Sequence, residues 1–258
     1  MPKYIGGVAT SVVSRNEYVS SDGARPGDVL VLTKPIGTQV AVNVHEWRKL
    51  HEKKADSKTG NLYWNRILEQ QKENENGKEF LTAEEAETMM HTAVRSMSKL
   101  NRFGSKLMIR HNAHAGTDVT GFGIIGHAQN LMENQIAEVG CELHTLPCIA
   151  NTLKINDKIM DFKLREGYSA ETSGGLLISM TESDANAYCA ELRKIEAAAY
   201  NYKYGNSNSI GSISSTDVSK KDTSERDAVD FGPWIVGRVI ENTDRKATIS
   251  KNAVYLEV

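Results

Sequence analysis

Residues 117–127 read TDVTGFGIIGH (Thr117–His127): a short strand, a glycine turn and the start of an apolar helix. One carboxylate, Asp118, stands at the end of the strand, just ahead of Gly121 and Gly123. Two readings are open. Asp118 is a turn residue that satisfies local backbone, or it faces a metal and an anion held where the helix begins. Glycine lets backbone approach a ligand closely. A helix start adds free N–H groups and the positive end of a dipole, a combination that suits phosphate. A carboxylate oxygen suits Mg²⁺, which binds alongside water and substrate phosphates. One carboxylate does not make a phosphoryl-transfer site, however, and short glycine motifs are weak evidence. On these residues alone the turn reading is favoured.

Working outward, Ile124, Ile125, Ala128, Leu131 and Met132 share one face of the helix that the motif opens. Beyond it, Glu142–Leu146 reads as a strand and Ile149–Met160 as a helix. Ser169–Met180 reads as a turn around Thr172-Ser-Gly-Gly175 that feeds a strand, and a helix starts at Ser183. That glycine pair marks a tight bend or a close approach of nucleotide or backbone, with the bend favoured. Upstream, Thr82-Ala-Glu-Glu85 is a capping box. Its helix carries Ala86, Met89, Met90, Ala93, Met97 and Leu100 at spacings of three and four, which marks these methionines as core filling. The pattern extends through Leu107 and Ile109, with Gly104 as its weak point. Asp28–Thr33 reads as a buried strand, and Thr38–Leu50 as a helix with Val40, Val44 and Trp47 on one face. Tyr4–Val13 reads as a strand, with an uncharged edge expected to be loosely attached. Trp234–Ile240 and Ala247–Val258 close the chain as strands. Two polar stretches interrupt the pattern. Residues 53–78 read as a solvated excursion with a weak helix at Leu62–Gln71. Residues 201–230 have too little apolar content to order and are expected to form a mobile loop. Parallel-compatible and hairpin-compatible elements are mixed, so the class is α+β or irregular α/β.

Composition narrows the function classes. The 258 residues suit one large domain or two small ones. Lys+Arg 31 against Asp+Glu 33 leaves no basic surplus for nucleic acid. No apolar run approaches the roughly 20 residues of a membrane span. Cys141, Cys148 and Cys189 have no metal or disulfide spacing, which predicts reduced thiols and a cytosolic setting. Lys34 is either a solvated strand end or a point charge for phosphate. His111, His114 and His127 cluster in sequence, but His127 lies two turns or more beyond the motif. A shared metal site is therefore not expected.

Five stretches together resemble selenophosphate synthetase (selenide, water dikinase). They are GGVATSVV (6–13), GARPGDVLVLTKPIGTQVAVNVHEW (23–47), LNRFGSKLMIRHNAHAGTDVTGFGIIGHAQNL (100–131), ETSGGLLI (171–178) and PWIVGRV (233–239). They stand in the family's order and span most of the chain outside the two polar stretches. The resemblance implies the PurM-like superfamily, shared with aminoimidazole ribonucleotide synthetase and thiamine monophosphate kinase. It implies an α+β fold, a PurM C-terminal-domain-like mixed sheet covered by helices. The family makes selenophosphate from selenide and ATP with Mg²⁺, releasing AMP and phosphate, for selenocysteine synthesis. Asp118 matches its magnesium-ligating aspartate, which reverses the preference for a turn. Thr117, Thr120, Gly121 and Gly123 match the surrounding cofactor-binding segment.

The departure from the family is equally informative. Its reactive cysteine or selenocysteine, catalytic lysine, glycine-rich segment and further aspartates precede GGVAT, and none has a match here. The resemblance therefore implies residues 1–14 as the last strand of a missing N-terminal ATP-binding domain, and 15–258 as the C-terminal domain. No catalytic residue is expected in this chain, which should be inactive alone. Its expected partner is the missing domain or a full-length protomer. The rival expectation is a non-catalytic module that binds full-length synthetase or the selenocysteine machinery.

Overall fold

A computed structural model describes residues 8, 10–53, 62–73, 79–204 and 232–258. Its central strand is β1 (Val29–Leu32). Side chains alternate across a strand, so Leu30 and Leu32 enter a larger core while Val31 enters a smaller one on the opposite face. This explains why DVLVLT is apolar almost throughout. Antiparallel neighbours flank β1 on both sides, β4 (Leu176–Met180) and β5 (Trp234–Glu241). β2 (Ala115–Asp118) pairs with β4 and β3 (Val139–Cys148) with β5, both antiparallel. β6 (Ala247–Glu257) runs parallel to β3. The sheet is thus mixed and six-stranded, in the order β2-β4-β1-β5-β3-β6.

Helices cover both faces, and the fold is α+β. The larger core is built by α1 (Thr38–Lys53), α2 (Leu62–Glu73), α3 (Ala83–Ser98), α5 (Gly123–Glu133) and α6 (Thr152–Lys158). α4 (Arg102–Arg110) and α7 (Glu182–Tyr204) close the smaller one through Leu107, Met108, Tyr188 and Leu192. The Thr82–Glu85 capping box is present in both directions, at 3.0 and 2.8 Å. Ile124, Ile125, Ala128, Leu131 and Met132 are all buried.

Several expectations shift. Residues 62–73 are not merely a solvated excursion: Trp64 and Ile67 are buried, and Tyr63 stacks on Trp47 of α1 with ring centroids 4.6 Å apart. The helix after the capping box ends at Ser98, and α4 is separate. The break falls at residues 99–101, not at Gly104, which is buried inside α4. Leu100, placed on the core face by periodicity, sits in this break and is 75% exposed. The α6 helix is shorter than expected, beginning at Thr152, because backbone bonds to other segments hold residues 149–150: Ile149 N donates to Ile36 O and Ala150 N to Val258 O. α7 runs on to Tyr204, into the stretch expected to be a loop; residues 205–231 lie outside the described residues. Residues 10–13 form no strand, and Val12 is fully exposed, since no strand among the described residues offers them a ladder. The rest of that expected strand is outside the described residues, apart from Val8.

Candidate functional site

β1 and β2 both run antiparallel to β4, with Leu32 opposite Leu177 and Asp118 opposite Leu176. The ends of β1 and β2 and the start of β4 therefore meet at one end of the sheet. Three loops converge there: 33–37 (TKPIG), 119–122 (VTGF) and 171–175 (ETSGG). Val119 N donates to Gly175 O at 2.9 Å, and Glu171 N to Thr120 O at 3.0 Å. Leu176 N donates to the Thr33 hydroxyl at 2.8 Å, and Thr33 N returns a bond to Leu176 O at 3.1 Å. Gly174 and Gly175 are required by this crossing. A Cβ on Gly174 would strike the Val119 carbonyl, and one on Gly175 would lie 2.6 Å from Lys34 N.

Asp118 is exposed at the end of β2, and the Thr117 hydroxyl donates to its carbonyl at 3.1 Å. Gly121 faces open space. Gly123 has φ 68°, and its missing Cβ makes room for the Gly167 carbonyl and Tyr168. The freedom of Gly123 thus serves internal packing. Two N–H groups at the start of α5 also turn inward, Gly123 N to Thr120 O at 3.1 Å and Ile125 N to Gly167 O at 3.1 Å. Thr120 is half-buried, with its hydroxyl 3.1 Å from His127 Nε2. Burial holds the His127 imidazole below its ordinary pKa, opposed by the nearby Asp118 charge.

Two buried ionisable groups lock the loops. Lys34 is neither a solvated strand end nor open to a phosphate: it is 1% exposed, and its ammonium donates to Lys99 O at 2.6 Å and Ser173 O at 2.7 Å. Burial, together with the Lys99 charge, lowers its pKa to about 8 against a smaller opposing effect of Glu196. Glu171 is the second. Its carboxylate accepts from Gly37 N at 2.6 Å, Thr38 N at 3.0 Å and the Thr38 hydroxyl, so it caps α1 from a loop far away in sequence. Burial lifts its pKa to about 7 despite those three bonds. Sequence reading missed both roles. The available signal was a charged residue beside an apolar strand, as Lys34 is after DVLVLT, or three residues ahead of a glycine pair, as Glu171 is in ETSGG.

The other sequence candidates lie elsewhere. His114 bonds Asp28 at 2.8 Å, with Ser179 donating to the same carboxylate at 2.7 Å, at the opposite end of β1. His111 pairs with Glu191 at 2.8 Å. Among the described residues, no three His, Cys, Asp or Glu side chains gather in a way that could hold a metal. Cys141, Cys148 and Cys189 are free and buried, and burial pushes all three thiols up, Cys141 to about 12 and Cys189 to about 11. None is poised as a thiolate nucleophile. Among the described residues, no helix is long and apolar enough to cross a membrane.

Residues 25–201 match the family model described as AIR synthase related protein, C-terminal domain. The chain is 47% identical over 193 residues to selenide, water dikinase of Dictyostelium discoideum, covering 74% of this chain and 48% of that protein. It is 44% identical over 189 residues to human selenide, water dikinase 2, covering 73% of this chain and 38% of that protein. The chain thus spans less than half the length of these relatives. A thiamine-monophosphate kinase structure from Stenotrophomonas maltophilia K279a overlays with a TM-score of 0.47 and 13% identity, across 93% of this chain and 55% of that one.

Proposed function

The chain belongs to the AIR synthase related family through its C-terminal domain, and from that premise we propose that it is the C-terminal part of an ATP-dependent selenophosphate synthetase. On this reading the complete enzyme converts selenide and ATP to selenophosphate, AMP and phosphate, for selenocysteine synthesis in the cytoplasm. One observation carries it. The TKPIG, VTGF and ETSGG loops, far apart in sequence, meet around an exposed Asp118 in a chain 47% identical to a selenide, water dikinase. Residues 1–14 then belong to an N-terminal domain and 15–258 to the C-terminal one.

Asp118 offers one hard oxygen ligand, which fits a Mg²⁺ site whose other positions are filled by water and phosphate. A metal held there by Asp118 would neutralise charge on the transferring phosphoryl group. Thr117 donates its hydroxyl to the Asp118 carbonyl, the Thr120 hydroxyl is held against His127, and Gly121 leaves room for a close approach. The nucleophile and the phosphate cradle come from the N-terminal ATP-binding half, so this chain alone folds without turning over ATP. Leu100, Phe103, Phe122 and Tyr168 stand exposed around the same end of the sheet, which supports a partner domain docking there. That apolar collar equally favours a second reading, a non-catalytic module that docks on a full-length synthetase.

Mixing this chain with an N-terminal half and measuring selenide-dependent AMP formation separates the two. A split site restores AMP formation, and Asp118→Asn lowers it by orders of magnitude in a folded protein. Co-purification with full-length synthetase without any restored activity favours the docking module. Robust turnover by the chain alone overturns the split site, and near-normal activity of Asp118→Asn returns that residue to a turn role.

A further inference from the structure

His127 is an odd residue for its place. It lies on the buried side of α5, in line with Ile124, Ala128 and Leu131, yet carries a polar ring. Its Nε2 lies 3.1 Å from the Thr120 hydroxyl, and Phe122 packs on the ring with centroids 5.4 Å apart. Phe122 can fold back only because residue 126 is glycine; a Cβ there would sit 2.7 Å from the Phe122 Cβ.

The turn that follows Asp118 is pinned at Thr120. The Thr120 carbonyl accepts from Gly123 N and Glu171 N, and its side chain is tied to α5 through His127. Asp118 is the last residue of an edge strand and its side chain is exposed. The ladder to Leu176 and the bond from Val119 N to Gly175 O hold the backbone on one side, and the turn at Thr120 is the next segment that bears on where the carboxylate aims. The two backbone bonds do not use the His127 side chain, whereas the Thr120–His127 contact needs a polar atom there, which makes it the adjustable member of the set. Mg²⁺ demands near-ideal octahedral geometry, and groups that orient a ligand carry a substantial share of metal affinity.

We infer that His127 is a positioning residue: by holding the Thr120 hydroxyl it fixes the turn that aims the Asp118 carboxylate at a divalent cation. The inference rests on the reading of Asp118 as a metal ligand. Its test uses this chain, with Mn²⁺ as the paramagnetic probe and broadening of backbone amide NMR signals as the readout. In the unaltered chain, broadening should centre on residues 117–121 and vanish in Asp118→Asn. His127→Leu, which fills the space without a polar atom, should weaken Mn²⁺ binding about tenfold. Thr120→Val should do the same from the other side of the contact. His127→Gln, whose amide can reach the Thr120 hydroxyl, should retain most of the binding. A purely structural histidine would show no such rescue, and thermal melts of the four variants verify that each is folded. Normal binding by folded Thr120→Val, with binding lost in Asp118→Asn, overturns the positioning role alone. Broadening unaffected by Asp118→Asn, or absent near residue 118, overturns the metal-ligand reading and this inference with it.

Discussion

Glu171→Gln is the most informative single substitution for the architecture of the site. The carboxylate is buried and takes two backbone N–H groups and one hydroxyl at the start of α1. Burial disfavours the charged form, while the helix dipole and the three donors favour it. The balance sets the folded pKa at about 7, against 4.5 for an ordinary glutamate. Between those values the folded chain holds a proton that the unfolded chain has released. Stability from this group is therefore complete below about pH 4.5 and is lost as pH rises through 7. At about 1.4 kcal/mol per pH unit, the interval amounts to about 3 kcal/mol. A glutamine side chain at this position would carry no charge at any pH. The stability difference between the unaltered chain and Glu171→Gln should thus shift by about 2–3 kcal/mol between pH 5 and pH 8, with the unaltered chain losing ground as pH rises. Urea unfolding followed by circular dichroism at four pH values in that range measures it. Parallel pH profiles for the two proteins, within about 0.5 kcal/mol, would refute the reasoning and place an ordinary carboxylate at residue 171.

Three further outcomes are expected. Ile67→Ala should cost about 2–5 kcal/mol in urea unfolding, because Ile67 is fully buried in the larger core; a cost under about 0.5 kcal/mol would return α2 to a solvated excursion. Gly123→Ala should cost about 2–4 kcal/mol, from a left-handed backbone and a clash with the Gly167 carbonyl, and a neutral effect on the melting temperature would contradict that packing. Lys34→Met leaves two carbonyls without their donor and should cost about 1–3 kcal/mol for each; faster proteolysis between residues 172 and 175 would locate the damage, and unchanged stability would mean the ammonium does not hold that loop.

The sequence by itself determined the elements that rest on local patterns. The capping box placed the start of α3, the apolar run in DVLVLT placed β1, and the spacing after TDVTGFG placed the buried face of α5. Those signals are local because helix and strand periodicity is written within one or two turns of chain. The motif stretches also carried the family. Tertiary structure decided what local pattern cannot encode. α2 looked polar in isolation and became a core helix once Trp47 gave Tyr63 a ring to stack on. Leu100 followed the helical period yet falls in a break, because residues 99 and 101 turn to meet the loop at residues 173–174: Lys99 O accepts from Lys34, and Asn101 Nδ2 donates to Gly174 O at 2.9 Å. Lys34 and Glu171 read as ordinary charged residues until the antiparallel pairing of β1 and β2 with β4 carried their loops to one end of the sheet. Their burial, and with it their displaced pKa values, follows from strand order, which comes from contacts between residues far apart in the chain.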